Sequence, residues 1–105
     1  MSYVTSIVLV TSVHEGRGDD DLRGPQWRAV QDWLGRESFA PLAFVEEHAS
    51  GTKGVQMFVG LGGYNWFPHE RFVEMIRQIE WRDPDHVVLT ICTEDGETMV
   101  IRPSL

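Results

Sequence analysis

Three of the four histidines stand where they could bind a metal or transfer a proton. His14 follows the first predicted strand, His86 precedes a later strand, and His69 follows a loop rich in glycine and aromatic residues. Two imidazoles with a carboxylate from Asp85, or from the consecutive aspartates at 19–21, would form a ligand set that zinc accepts. The sequence has no His-x-x-x-His pair on a helix and no alternating calcium-loop pattern. We therefore predict no metal and no cofactor.

The other reactive side chains do not form a recognisable catalytic arrangement. Cys92 is the single cysteine, so it cannot form an internal disulfide, and it lies in an apolar stretch where a buried thiol is the usual state. Serine, histidine and aspartate occur without the Gly-x-Ser-x-Gly turn of a nucleophile elbow. The two glycines at 62–63 lack the spacing of a phosphate-binding loop. These observations lean against an enzyme, although a small enzyme or ligand-binding domain that uses His14, His69 and His86 stays an alternative.

The balance of charge restricts the partners that the chain can bind. It has 16 acidic against 9 basic residues, a net charge of −7, and Lys53 is its single lysine. Direct nucleic-acid binding and anionic-membrane binding both depend on clustered Lys and Arg, so we expect neither. An acidic surface instead suits a protein partner with a basic surface, because complementary fields accelerate association. No apolar segment follows a basic region as in a signal peptide, so we expect a cytoplasmic protein.

The loop at 62–68 is the most distinctive local feature. It places Tyr64, Trp66 and Phe67 within four positions, beside two glycines and a proline. Tyr and Trp give large contact areas at low conformational cost and are frequent in interface hot spots. Alternatively, Trp66 and Phe67 pack beneath the following helix, with one ring buried and one exposed as the intermediate arrangement. With the acidic loops included, the predicted partner-binding residues are Asp19, Asp20, Asp21, Tyr64, Asn65, Trp66, Phe67, Asp83 and Asp85.

Hydrophobic periodicity predicts seven elements in one domain that spans residues 1–105. Apolar and β-branched residues alternate in five strands, of which the second is weak, and helical spacing occurs twice. The Asp95-Gly96 pair predicts a tight hairpin between the last two strands. In the third strand we expect Val59 to pack in the core, against helix residues such as Ile76. The predicted strands are 3–13, 39–45, 55–61, 86–93 and 98–102, and the predicted helices are 25–35 and 67–81.

The order β-α-β-β-α-β-β predicts an α+β two-layer sandwich, with two helices on one face of a mostly antiparallel sheet. Its first six elements follow the ferredoxin-like order, and the seventh adds a C-terminal hairpin strand. A sheet with its helices on opposite faces is the alternative. If the first and third strands run parallel, the loops 14–24, 62–68 and 80–86 meet at one end of the sheet, and the turns 46–54 and 94–97 lie at the other.

Together these features predict a small acidic protein-binding module of the inhibitor or immunity-protein type, which masks a basic or substrate-binding surface of a partner protein. The prediction rests on size, charge and the absence of a catalytic motif. Two other classes stay open. One is the histidine-based enzyme or ligand-binding domain, and the other is a subunit that forms a homodimer through its exposed sheet face or edge.

Overall fold

The protein folds as two helices packed on one five-stranded antiparallel sheet. The structure, a computed structural model, describes residues 3–16 and 24–104. The strands are β1 (Val4–Ser12), β2 (Ala43–Phe44), β3 (Met57–Asn65), β4 (Val88–Thr93) and β5 (Thr98–Ile101), and the helices are α1 (Pro25–Arg36) and α2 (His69–Gln78). The predicted α+β class and the order of its elements are therefore confirmed. Within these described ranges, no helix has the length and hydrophobicity of a membrane-spanning segment.

The strands lie side by side in the order β2-β3-β1-β4-β5, and each runs antiparallel to its neighbours. Two βαβ units produce this order, because each helix returns the chain so that the strand after it runs in the direction of the strand before it. β1 and β2 run one way, β3 and β4 run the other way, and the two units interleave. The parallel pairing of the first and third strands is therefore wrong, since β1 opposes β3 from Val4↔Asn65 to Ser12↔Met57.

The direction of β3 decides which loops are neighbours. We call the end of the sheet where β1 finishes and β4 begins the histidine end, which comprises residues 13–16 and 80–87. We call the opposite end the tryptophan end, which comprises Tyr3, residues 66–68 and the hairpin turn 94–97. Because β3 runs against β1, it delivers the aromatic loop to the tryptophan end. A nine-residue strand separates the two ends by about 25–30 Å.

One apolar core lies between the helices and the sheet. Pro25 begins α1 at a position that needs no amide hydrogen, and α1 then buries Trp27, Val30 and Leu34 along one stripe. The other fully buried apolar residues come from α2 and from the facing sides of β1, β4 and the segment before β4: Phe72, Ile76, Ile7, Leu9, Leu89, Ile91 and Val87. Both helices thus cover the same face of the sheet, and the opposite face has no covering layer in the described ranges.

The strand β3, which lies beside the central strand β1, presents two glycines to the helices between Phe58 and Tyr64. The pairings Leu9↔Gly60 and Ile7↔Gly62 place both glycines on the helix side. A Cβ atom on Gly60 would lie 3.0 Å from the Trp27 ring, so the absence of a side chain admits the indole against the sheet. Val59 therefore faces away from the helices, and its prediction as a core residue is wrong. The strand also runs on to Asn65, past the predicted end at residue 61.

Two glycine substitutions in β3 test this packing. Gly60→Ala should lower the free energy of unfolding by about 1–3 kcal/mol, because the buried Trp27 ring must shift to accept a methyl group. Gly63→Ala is the matched control, since its Cβ meets nothing within 4 Å and it lies on the uncovered face. Urea unfolding of both variants measures the difference. Equal losses at the two positions would contradict the proposed contact.

Candidate functional site

At the histidine end, one carboxylate holds two imidazole rings. The Nδ1 atoms of His14 and His86 lie 3.3 Å and 3.0 Å from the two carboxylate oxygens of Asp83. The hydrogen bond from His86, followed by those from Ser12 and His14, lowers the pKa of the Asp83 carboxyl to about 2. An ionised carboxylate only accepts hydrogen bonds, so both Nδ1 atoms carry the proton. In a neutral ring this leaves Nε2 as the basic atom, and both rings are largely exposed.

The neighbouring Glu15 is buried, and it organises this end of the sheet. Its two carboxylate oxygens accept hydrogen bonds from the backbone N–H groups of Arg82 and Asp83, at 3.1 Å and 2.8 Å. Its carbonyl oxygen accepts a further bond, of 2.8 Å, from the amide of Gly24 at the start of α1. Glu15 therefore ties the end of β1 to both the helix start and the segment before β4. Because it is fully buried, it contributes nothing to an acidic contact surface.

The His14–Asp83–His86 cluster has the parts of a proton-transfer pair, and the described residues form a small pocket beside it. A carboxylate that fixes one ring nitrogen can orient the other as a general base. The pocket beside it is lined by Val10, Thr11, Ser12, Gln56, Met57 and His86 and has a volume of about 140 Å³. Pockets for small-molecule ligands usually measure about 300–1,000 Å³. In residues 3–16 and 24–104, no group of three or more His, Cys, Asp and Glu side chains is arranged to hold a metal ion.

The third histidine of the predicted site lies at the other end of the sheet. His69 begins α2, which starts where β3 finishes, next to the aromatic loop. The predicted association of His14, His69 and His86 is therefore wrong, and the antiparallel direction of β3 is the physical reason. The same reason separates the aromatic loop from Asp83 and the exposed Asp85, which both stay at the histidine end. The predicted residues Asp19, Asp20 and Asp21 lie outside the described residues.

Trp66 is the most exposed large apolar residue of the described chain, with 64% of its surface accessible. Its backbone has a positive φ of 53°, which non-glycine residues rarely adopt. The Trp66 amide donates to the Tyr3 carbonyl oxygen at 2.8 Å, and the two rings stack with centroids 5.9 Å apart. The Tyr3 hydroxyl donates in turn to Asp95 Oδ2 at 2.7 Å. These contacts hold an exposed indole beside the acidic hairpin turn.

The two other rings of the aromatic loop belong to the core. Tyr64 and Phe67 are both buried and stack with their centroids 4.9 Å apart. The Tyr64 hydroxyl donates to the Ala40 carbonyl oxygen at 2.8 Å, and burial raises the pKa of its phenol. Phe67 also contacts the Trp33 ring edge-on and the Phe39 ring at a tilt. Of the four loop residues predicted to bind a partner, Tyr64 and Phe67 are thus buried in the core, whereas Asn65 and Trp66 are exposed.

Sequence reasoning assigned the hairpin turn to the opposite end from the aromatic loop and gave Tyr3 no part in a binding surface. The turn itself forms as the Asp95-Gly96 pair predicts, with Gly96 at a φ of +87° and its amide donating to the Thr93 carbonyl oxygen at 3.0 Å. The Val4 amide donates to the Glu94 side chain, and the Glu94 amide donates to the Val4 carbonyl oxygen. Both errors follow from the direction of β3. The antiparallel pairing of β1 with β3 places Tyr3 beside Trp66.

Comparison of the chain with models of protein families, with curated proteins and with solved structures found no match in any of the three.

The histidine cluster makes a pH-dependent prediction for Asp83. Replacing His86 with alanine should raise the Asp83 pKa from about 2 towards its ordinary value of 3.8, because the principal hydrogen bond to the carboxylate is lost. The stabilisation that the ionised Asp83 contributes is present above pH 4 and is lost as the pH falls towards 2, so His86→Ala should flatten this loss. A ¹³C NMR titration of the carboxyl measures the pKa. His69→Ala, at the other end, is the control and should change nothing.

The buried Glu15 predicts a loss of stability when one of its acceptor oxygens is removed. Glu15→Gln should lower the free energy of unfolding by about 1–3 kcal/mol, because an amide nitrogen cannot accept the bond from a backbone N–H. Glu80→Gln removes the same charge from an exposed side chain nearby and should change stability little. Denaturant unfolding compares the two. A similar loss in both variants would assign the effect to charge rather than to hydrogen bonding.

Proposed function

We propose that this protein is a small acidic protein-binding module of the inhibitor or immunity-protein type, which covers a basic or substrate-binding surface of another protein. The observation that carries the proposal is Trp66, an exposed indole held by the Tyr3 stack next to Asp95. A ring of this size exposed in water adds nothing to the core of the fold. It gains contact area only when a partner covers it.

The surroundings of Trp66 favour a cationic partner group. The hairpin turn contributes Glu94, Asp95 and Glu97, which are exposed in the same turn. Among the described residues of the tryptophan end, none is Lys or Arg. An arginine or lysine side chain can lie over an indole face while its charge approaches a carboxylate. The net charge of −7 draws a basic surface towards the whole molecule, and Trp66 supplies the local contact.

A catalytic function has less support than a binding function. The exposed His14–Asp83–His86 cluster adjoins a pocket of only about 140 Å³, and the third predicted histidine is at the other end of the sheet. The hydrogen bonds of the cluster also fasten β1 to the segment before β4, which gives them a structural role. The prediction of a cytoplasmic location stays part of this proposal.

An arginine-rich peptide is a suitable first probe for the tryptophan end. In ¹H–¹⁵N NMR spectra, the indole signal of Trp66 and the amide signals of Tyr3 and Asp95 should shift when the peptide is added. A glutamate-rich peptide of equal length should leave them unchanged. Trp66→Ala should weaken binding by about tenfold, since cation–π contacts contribute about 0.5–2 kcal/mol.

Matched variants separate a specific contact from general attraction between charges. Asp95→Asn should reduce the association rate and its dependence on salt, because an exposed carboxylate acts mainly by steering. Asp85→Asn makes the same change at an exposed position of the histidine end and should have the smaller effect. Trp66→Ala should instead accelerate dissociation. Equal effects of Asp95→Asn and Asp85→Asn, with no effect of Trp66→Ala, would overturn the proposal.

A further inference from the structure

The uncovered face of the sheet carries apolar and small polar residues but no charged ones. None of the five strands, all of which are fully described, contains Asp, Glu, Lys, Arg or His. A sheet face in contact with water normally alternates polar and charged residues with the apolar ones of the core face. Here the large exposed apolar residues of the strands all lie on the uncovered side: Val4, Met57, Leu61 and Val100. This face therefore lacks the usual adaptation to solvent.

The register of β3 divides its side chains between the two faces of the sheet. Phe58 and Tyr64, with two glycines between them, face the helices, whereas Met57, Val59 and Leu61 face the uncovered side. Leu61, directly opposite Val8 of the central strand β1, is 44% exposed. β3 thus gives the uncovered face a row of apolar side chains that no described residue covers.

We propose that a second copy of this chain covers this face, so that two sheets pack face to face in a symmetric homodimer. This proposal goes beyond the binding function of the tryptophan end and uses different residues. The 30 residues of the five strands, at a rise of about 3.3 Å and a strand spacing of about 4.8 Å, give a footprint of roughly 480 Å². Side-chain relief raises the accessible area above this footprint, towards the roughly 800 Å² per partner of a standard interface. Two packed sheets at about 10 Å spacing are a common architecture.

The distribution of charge favours a second copy over a charged partner. Two molecules of net charge −7 repel one another, and this repulsion is weakest where the surface in contact has no acidic groups. The described acidic residues lie in the helices, loops and turns, outside the strands. The uncharged face offers nothing to attract a basic partner, whereas Val, Leu, Met and Thr side chains are self-complementary across a twofold axis. Raising the salt concentration should therefore strengthen the dimer.

Sedimentation velocity across the micromolar range tests the proposal. The parent chain should sediment at twice its chain mass. Leu61→Glu should raise the dimer dissociation constant by at least about 100-fold, because two carboxylates would be buried without partners. Val100→Glu, on a residue that is 61% exposed, is a second variant of the same face. Val13→Glu makes the same kind of change at a 37% exposed position outside the strands and should still dimerise. Circular dichroism confirms that each variant folds.

The single cysteine supplies an independent readout. Cys92 lies on the uncovered face of β4, since its neighbours Ile91 and Thr93 are buried on the helix side. Its reaction with a maleimide should slow as the protein concentration rises, and it should not slow in Leu61→Glu. A parent chain that stays monomeric throughout would overturn the proposal. A dimer that survives Leu61→Glu and leaves Cys92 equally reactive would also overturn it, because such a dimer pairs through a sheet edge.

Discussion

The approach of Trp27 to Gly60 is the contact on which the arrangement of the sheet depends. An indole that lies 3.0 Å from the position of a missing Cβ favours glycine there, and Gly60 faces the helices. Because strand side chains alternate, this choice also turns Gly62 inwards, where the Tyr64 ring lies against it, and turns Met57 and Leu61 outwards. The composition of both faces thus follows from one aromatic–glycine contact.

The interleaved βαβ units then distribute the polar groups between the two ends. At the histidine end, the Glu15 carboxylate binds two backbone amides and the Asp83 carboxylate binds two imidazoles. Both carboxylates therefore already have hydrogen-bond partners within the protein. At the tryptophan end, one carboxylate oxygen of Asp95 binds the Tyr3 hydroxyl, and Trp66 remains exposed. A surface with satisfied polar groups gains little from a partner, whereas an exposed indole gains a great deal. This difference is why we propose a binding surface at the tryptophan end.

The sequence was sufficient for the elements that have a strong local signal. Helical spacing in α1 and α2, and the Asp95-Gly96 turn, predicted structure close to that observed. It was insufficient for β3, because hydrophobic alternation assigns apolar residues to the core and carries no information about a glycine that accommodates a distant indole such as Trp27. The prediction of where Trp66 lies was wrong for a different reason. This location depends on the direction of β3 relative to β1, which is a long-range property, and one wrong direction moves the whole aromatic loop to the other end of the sheet.

The two proposed surfaces are compatible, and their charges select between the two ways of forming a face-to-face dimer. A twofold axis along the strands would bring both tryptophan ends together, with Glu94, Asp95 and Glu97 of each copy in proximity. An axis across the strands would instead place each tryptophan end beside the histidine end of the other copy, where Asp83 is partnered by His14 and His86. Like-charge repulsion disfavours the first arrangement. The second leaves the two Trp66 rings at opposite ends of the dimer, so each copy can engage its own partner without obstructing the other.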